Sequence, residues 1–544
     1  MKKMLHYVVI GYSLLLSCND EANTSTESGK KNKKITTRNY SINASNAYSD
    51  LFLDSAVVEK FIMEKKIPDS VTWRIRSFYN SRNFEFAWFS SDGLTEQARG
   101  FWNLYNNYTS STDDTTLDNK ALQKRMDKLI TEDSLFPSAK NKSIVNTEML
   151  LTSHFIRHTL SSYKPDYVKR KEMERFVPAR KNETLYLADS LLKKKHKDDK
   201  YYEDVNSSYG LLKEKLAMYY DIQKKGRWPV ITGKKKSYKK GTTDPEIALI
   251  KKRLQLTGDM AGEDTSRVFN DSLVAAVKKF QQRHGLKTDG IITEATIKEM
   301  NVSPLHRLQQ ILINMDRMRW LPVQSEGNLI IVNIPAFILH VKEGNKNVFD
   351  MDVVVGKEGH DTRIFTGNLN QVVFSPYWNV PSNIVRKEIL AAIEKDKNYL
   401  EKQNMEVTGE TDGLPEIRQR PGGDNSLGKV KFIFPNSFNI YIHDTPSKSL
   451  FARDKRAFSH GCIRLRDPER MANYLLRNHP NWDASKINDA MNSGEEKYVK
   501  LKKPVPVLIT YYTAWVDEEG LLNFREDIYG HDKELNKKMF TNPL

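Results

Sequence analysis

Cysteine is nearly absent from this chain. Two occur in 544 residues, Cys18 and Cys462, so a disulfide framework does not hold the fold together. No Cys/His cluster has zinc-ligand spacing, and no Gly-rich loop is built to cradle phosphate. No metal and no cofactor is therefore expected. Long apolar runs are missing too. The longest, Met4 to Leu16, follows Lys2 and Lys3 and has the length of a signal peptide, too short for the ~20 residues of a spanning anchor. Charge is not concentrated in one arm: the net +16 is spread thinly. That balance suits an anionic polymer or a membrane surface, and nucleic acid is not an expected partner.

What is present suffices for about three or four domains at ordinary sizes. The start of the chain sets the compartment. Leu15-Leu16-Ser17-Cys18 resembles the lipobox of bacterial lipoproteins, which implies that residues 1–18 are a signal peptide and that Cys18 becomes a lipidated N-terminus. An ordinary secretory signal is the alternative, and either takes the chain out of the cytoplasm. Residues 19–45 are rich in Ser, Thr, Asn and Lys and read as a flexible tether. Residues 46–225 carry helical periodicity and an aromatic cluster, Phe84-Glu85-Phe86-Ala87-Trp88-Phe89, expected to be core. A basic linker spans Gly226 to Thr243.

The chemistry concentrates in Tyr441–Leu465, YIHDTPSKSLFARDKRAFSHGCIRL. Cys462 has no disulfide partner once Cys18 is lipidated, and a single free thiol in an oxidising compartment is unusual unless it is used. A thiol is only a few per cent thiolate at neutral pH, so a nucleophile needs a base or a positive field. His443, nineteen positions earlier, is the candidate base if the chain returns on itself. Ile440 and Ile442 alternate with Tyr441 and His443, so the latter two share a strand face, expected to open to a cleft. Gly461 allows close backbone approach to a carbonyl, which suits amides acting as oxyanion donors.

His443 followed by Ser459-His460-Gly461-Cys462-Ile463-Arg464 resembles the active-site signature of the L,D-transpeptidases. Further resemblances extend it over most of the chain. Asn80–Trp88 is similar to the scaffold region of the large branch of that family. Ala276-Val277-x-x-Phe280-Gln281-x-x-His284-Gly285-Leu286-x-x-Asp289-Gly290 is similar to a small three-helix peptidoglycan-binding domain. Pro376-Tyr377-Trp378-Asn379-Val380-Pro381 and Pro421-Gly422-Gly423-Asp424-Asn425-Ser426-Leu427-Gly428 are similar to its catalytic and capping segments. One departure is Arg363, in Thr362-Arg363-Ile364-Phe365, where the family usually has Pro.

The resemblance implies an α+β multidomain protein: a helical scaffold (46–225), a three-helix peptidoglycan-binding domain (244–302) and a mainly β catalytic domain (303–544) with a capping insertion (383–430). It implies a membrane-anchored lipoprotein in the periplasm of a Gram-negative-type bacterium. The implied reaction is acyl transfer between peptidoglycan stem peptides. Cys462 attacks a tetrapeptide donor, D-alanine leaves, and a second stem takes the acyl group in a 3→3 cross-link, with His443 as base. Gly461, His460, Ser459, Arg464, Tyr441, Trp378 and Asn425 are the implied oxyanion or substrate residues, and carbapenems the implied acylating drugs. A secreted L,D-carboxypeptidase or cysteine peptidase and a non-catalytic wall-binding lipoprotein are the rival readings. Zinc on His443, His460 and Cys462 is a third.

Overall fold

The computed structural model describes residues 35–543, apart from 113, 132–135, 163–172, 174–175, 194–206, 227, 321–326 and 345. The signal peptide, Cys18 and the tether up to residue 34 lie outside the described residues.

Helices dominate from Ser55 to Lys225. Their core is aromatic: Phe78, Tyr79, Phe86, Trp88, Phe89 and Phe101 are all buried, and Phe101 meets Phe155 edge-on at 5.5 Å. The aromatic cluster is thus packing. One polar knot sits inside it. Glu148 accepts from the N–H groups of Ala87 (2.7 Å) and Trp88 (3.0 Å) and from the Tyr79 hydroxyl (3.0 Å), while Arg82 and Glu85 pair at 2.9 Å with both side chains wholly buried.

The basic linker differs from its reading as a simple connector. Its second half is built into the next unit: Ser237–Tyr238 pairs with Ile292–Thr293, and Glu246 accepts from the N–H groups of Thr232 and Gly233. Pro245–Leu256, Asp271–Arg283 and Glu294–Met300 are the three helices of that unit. Asp244 caps the first, with Pro at N1. Asn270, not Asp271, caps the second, because only the residue ahead of the helix can accept from N3. Pro304–Met318 then runs almost entirely buried, packed by Tyr209, Leu212 and Tyr219 on one side and by Phe524 and Phe540 on another.

The C-terminal sheet has nine strands: β1 Asn328–Asn333, β2 Ile338–Glu343, β3 Lys346–Gly356, β4 Thr366–Phe374, β5 Val430–Ile433, β6 Ile442–His443, β7 Ala457–Ser459, β8 Ile463–Leu465 and β9 Lys497–Thr510. Their order is β7-β3-β8-β6-β5-β4-β9-β1-β2, and β2 also pairs with β3, so the order returns on itself. Its apolar interior includes Val332, Leu339, Val353, Leu369, Phe374, Phe432 and Ile463. Each such side chain contributes about 1.5–3 kcal/mol through burial.

Three features depart from the periodicity. The apolar stretch 329–341 is two strands, broken by a 3₁₀ turn at Ile334–Ala336 and by Phe337 at φ 56°. Leu522–Phe524 does not close the large sheet but pairs with Ala514–Val516 in a hairpin of its own. The insertion is not loop-like after its helix. Met405–Thr411 and Leu414–Gln419 form a hairpin whose second strand pairs with Trp378–Asn379. Asp412 and Gly413 turn it with φ of 51° and 72°, the conformation a two-residue hairpin turn requires.

Candidate active site

β6 and β8 run parallel, with Ile442 opposite Ile463 and His443 opposite Arg464. Both isoleucines are fully buried in the core. Alternation therefore puts Tyr441, His443, Cys462 and Arg464 together on the other face. The return of the chain that the spacing required is this parallel pairing, which sets His443 diagonally across from Cys462.

The thiol is free and partly exposed. Its Sγ donates a long bond, 3.7 Å, to the carbonyl of Asn439, a residue at φ 55°. The Tyr441 hydroxyl interacts with both the thiol and the Trp378 side chain. Burial pushes the thiol up to about 11 against the opposing pull of Tyr441 and Arg464. Burial, reinforced by the Arg464 charge, holds the His443 imidazole down at about 3. Both shifts favour the neutral thiol and the neutral imidazole over a thiolate–imidazolium ion pair.

His443 differs from expectation. It does not stand open to a cleft but is 3% exposed. Leu427 and Asp444 press their backbones toward its ring, yet Nδ1 has no partner at good hydrogen-bond geometry among the described residues. The Asp444 carboxylate, next in sequence, is turned elsewhere, accepting from Lys429 N–H (2.8 Å) and Lys448 Nζ (2.7 Å). Gly428 is obligatory beside it: φ is 63°, and a Cβ would fall 2.4 Å from Asp444 Cγ. The Gly-rich loop is thereby clamped over His443.

The catalytic-loop backbone is held just as firmly. Ser459 Oγ donates to the Cys462 carbonyl (2.6 Å) and accepts from Gly461 N–H (3.1 Å). Thr362 Oγ1 donates to the Gly461 carbonyl (2.8 Å) and accepts from Gly356 N–H (2.9 Å). Two expectations change here. The Gly461 N–H is occupied by Ser459, so it is not free as an oxyanion donor. Gly461 is needed for its φ of 112° and not for space, since a Cβ there would meet the carbonyls of His360 and Asp361 at an ordinary 3.7 Å.

The remaining candidates separate. Asn425 is buried with its Nδ2 on the carbonyls of Pro376 (3.2 Å) and Arg420 (2.9 Å) and its Oδ1 accepting from Leu427 N–H, so it shapes the loop and is not presented to a substrate. His460 leaves the thiol: its Nε2 bonds Glu388 of the insertion at 2.9 Å, and its ring meets His360 at 5.0 Å. Arg464 meets no carboxylate, and its Nε is buried without a partner among the described residues. Lys431 on β5, opposite His443, was not singled out by sequence; it approaches Glu496 at 3.6 Å. Thr362, Asn439, Asp444 and Glu388 also escaped sequence reading. Only Asp444, adjacent to His443, had a positional signal. His443, His460 and Cys462 do not gather as a metal cluster, and no group of three such residues does among the described residues.

Residues 327–507 match the model of the L,D-transpeptidase catalytic domain. Over that third of the chain, the protein is similar to the L,D-transpeptidase catalytic domain. Residues 74–216 match a scaffold domain and residues 243–300 a "Putative peptidoglycan binding domain". A curated relative from Haemophilus influenzae, named "Putative L,D-transpeptidase", is 29% identical over 256 residues, covering 44% of this chain and 50% of its own length. The chain thus spans about half of that relative. Solved L,D-transpeptidases from Stackebrandtia nassauensis (15% identical, 50% of this chain and 94% of that one, TM-score 0.23) and Mycobacterium smegmatis (14%, 34% and 58%, TM-score 0.20) also match, at similarities too low to carry an argument. Among the described residues no helix is long and apolar enough to cross a membrane.

Proposed function

We propose that this protein is a periplasmic L,D-transpeptidase that forms 3→3 cross-links between peptidoglycan stem peptides. The observation that carries the reading is the parallel β6–β8 pairing, which brings Cys462 and His443 to one face beneath the insertion. Neutral His443 takes the thiol proton as Sγ attacks the carbonyl between the third stem residue, a diamino acid, and the terminal D-alanine. The imidazolium returns that proton to the leaving amine, the C–N bond breaks, and D-alanine departs from a thioester. The side-chain amine of a second stem then attacks. It gives a proton to His443, and the thiol recovers it as the C–S bond breaks.

With Gly461 N–H occupied, the Cys462 N–H and the Tyr441 hydroxyl are the donors we assign to the oxyanion. Burial keeps the phenol protonated and well above its ordinary range, as a donor must be. Arg464 offers the nearest fixed positive charge. Residues 383–430 act as a cap that excludes water, favouring amine over hydrolysis. Residues 46–225 are a scaffold, residues 244–302 hold the wall polymer, and lipidated Cys18 tethers the chain to the membrane. The same thiol opens carbapenems, whose strained carbonyl asks for the same donors.

Incubating the protein with tetrapeptide-bearing muropeptides and reading products by mass spectrometry tests this. The expected result is a 3→3 dimer plus free D-alanine, absent in Cys462→Ser. Tripeptide alone would make the protein a carboxypeptidase, and no change in a folded protein would sink the enzyme reading.

A further inference from the structure

A large cleft lined by described residues contains neither Cys462 nor His443. It holds about 1270 Å³ between the helices Glu96–Ser111 and Lys120–Thr131 on one wall and residues 361–370 and 435–438 on the other. A volume above the ~300–1000 Å³ of most small-molecule pockets suits a polymer segment. The cleft also adjoins the reaction centre through two of its lining residues. Phe438 lines it, and the next residue, Asn439, receives the thiol. Thr362 lines it as well and holds the Gly461 carbonyl.

Its chemistry is unlike the rest of the surface. The chain carries net +16, yet the five basic and six acidic lining residues nearly cancel. That argues against an anionic polymer or lipid headgroups. What the cleft has in excess is side-chain amide: eight Asn and Gln line it, Asn107 and Asn370 among them. Amides pair with acetamido and hydroxyl groups through both a donor and an acceptor. Buried polar atoms on its walls also lack partners among the described residues. They are Trp102 Nε1, on a side chain only 1% exposed, Asn106 Oδ1 and Asp361 Oδ1. Buried polar groups normally find a partner, so three on the walls of one cleft point to a ligand that supplies them.

We infer that this cleft binds the uncharged, N-acetylated glycan strand of the wall polymer, holding the sugar backbone while its stem peptide reaches the thiol. The inference rests on the peptidoglycan reading above and adds a second wall-binding surface, separate from residues 244–302.

The test uses the full-length Cys462→Ser protein, so that binding and not turnover is read, with peptide-free glycan chains carrying a photoreactive acetamido group. Adducts are mapped by peptide mass spectrometry. The expected result is labelling of peptides from 96–131 or 361–370 in addition to 243–300. Asn107→Ala/Asn370→Ala should cut labelling of the cleft about five- to tenfold. In the otherwise wild-type protein that pair should leave carbapenem acylation of Cys462 unchanged. Labelling confined to 243–300, or labelling of the cleft only by chains that carry stem peptides, overturns the glycan assignment while leaving the transpeptidase reading intact. Loss of carbapenem acylation in the double variant would also overturn it, by showing that the walls serve the thiol itself.

Discussion

Two regions of this molecule bury ionisable groups, and they do so differently. In the helical part, Glu148 is surrounded by two backbone N–H groups and a tyrosine hydroxyl, and Glu85 meets Arg82. Around the thiol, His443 is buried, Cys462 and Arg464 are partly buried, and partners are missing. His443 Nδ1 and Arg464 Nε have none among the described residues, and the Cys462 thiol donates only a long 3.7 Å bond to Asn439 beside its contact with Tyr441. The first arrangement fixes a core, because all its members but Arg82 Nη1 find partners among the described residues and a buried polar network stabilises as its members are satisfied. The second leaves donors and acceptors unspent for a ligand to use, which is what separates a site from a structural knot.

That contrast is broken most strongly from the site side. His443→Gln should lower the rate of cross-linking by about 10³-fold, the scale of a lost general base, with the denaturant midpoint little changed. A loss of stability without a loss of rate would place His443 in the structural class. On the other side, Glu148→Ala should cost about 3 kcal/mol by stranding the amides of Ala87 and Trp88, with turnover per folded molecule unchanged. Chemical denaturation of the two variants side by side reads this directly.

Next in size is a pH effect whose sign differs between thiol and imidazole. Because the folded thiol is raised to about 11 from 9.0, alkylation of Cys462 should keep accelerating above pH 9 instead of levelling off. The raised thiol contributes stability that is whole below pH 9 and lost as pH climbs through about 11. The depressed His443 does the reverse. Its contribution is whole above about 6.5 and drains away as pH falls toward 3. Labelling with iodoacetamide across pH, and melting of wild type against His443→Gln at pH 4 and 7, check both. A labelling plateau near pH 8 would show that the thiol is not desolvated.

The smallest effect belongs to the exposed contact between cap and loop. Glu388→Gln weakens its bond to His460, worth no more than about 1 kcal/mol at the surface, so KM should rise a few-fold with kcat unchanged. An equal fall in kcat would mean that the contact orders the thiol itself.

How much of this was readable beforehand depends on the range of the interaction involved. The spacing of His443 and Cys462 could be read because one parallel register brings both to the same face. The alternation of Ile440 and Ile442 gave that face, but the burial of His443 could not be seen. It comes from the loop around Leu427, clamped by Asp444 through the Lys429 amide fifteen positions upstream, next to Gly428. Gly461 was noticed for the right backbone and the wrong reason, since hydroxyls at Ser459 and Thr362 decide where its amide and carbonyl point. The Asp412-Gly413 turn was a local signal in plain sight, overshadowed by the glycines that follow at 422 and 423.

One feature of the sheet bears on when the thiol becomes competent. β9, residues 497–510, lies between β4 and β1, inside the strand order, although it is the last of the nine in sequence. β6 and β8 have their own neighbours in β5 and β3, but β4, which holds β5, is not joined to β1 until that late segment has emerged. Contacts of such high sequence separation form slowly. A chain exported through a membrane from its N-terminus would therefore complete the sheet that carries the nucleophile only when nearly the whole polypeptide is across.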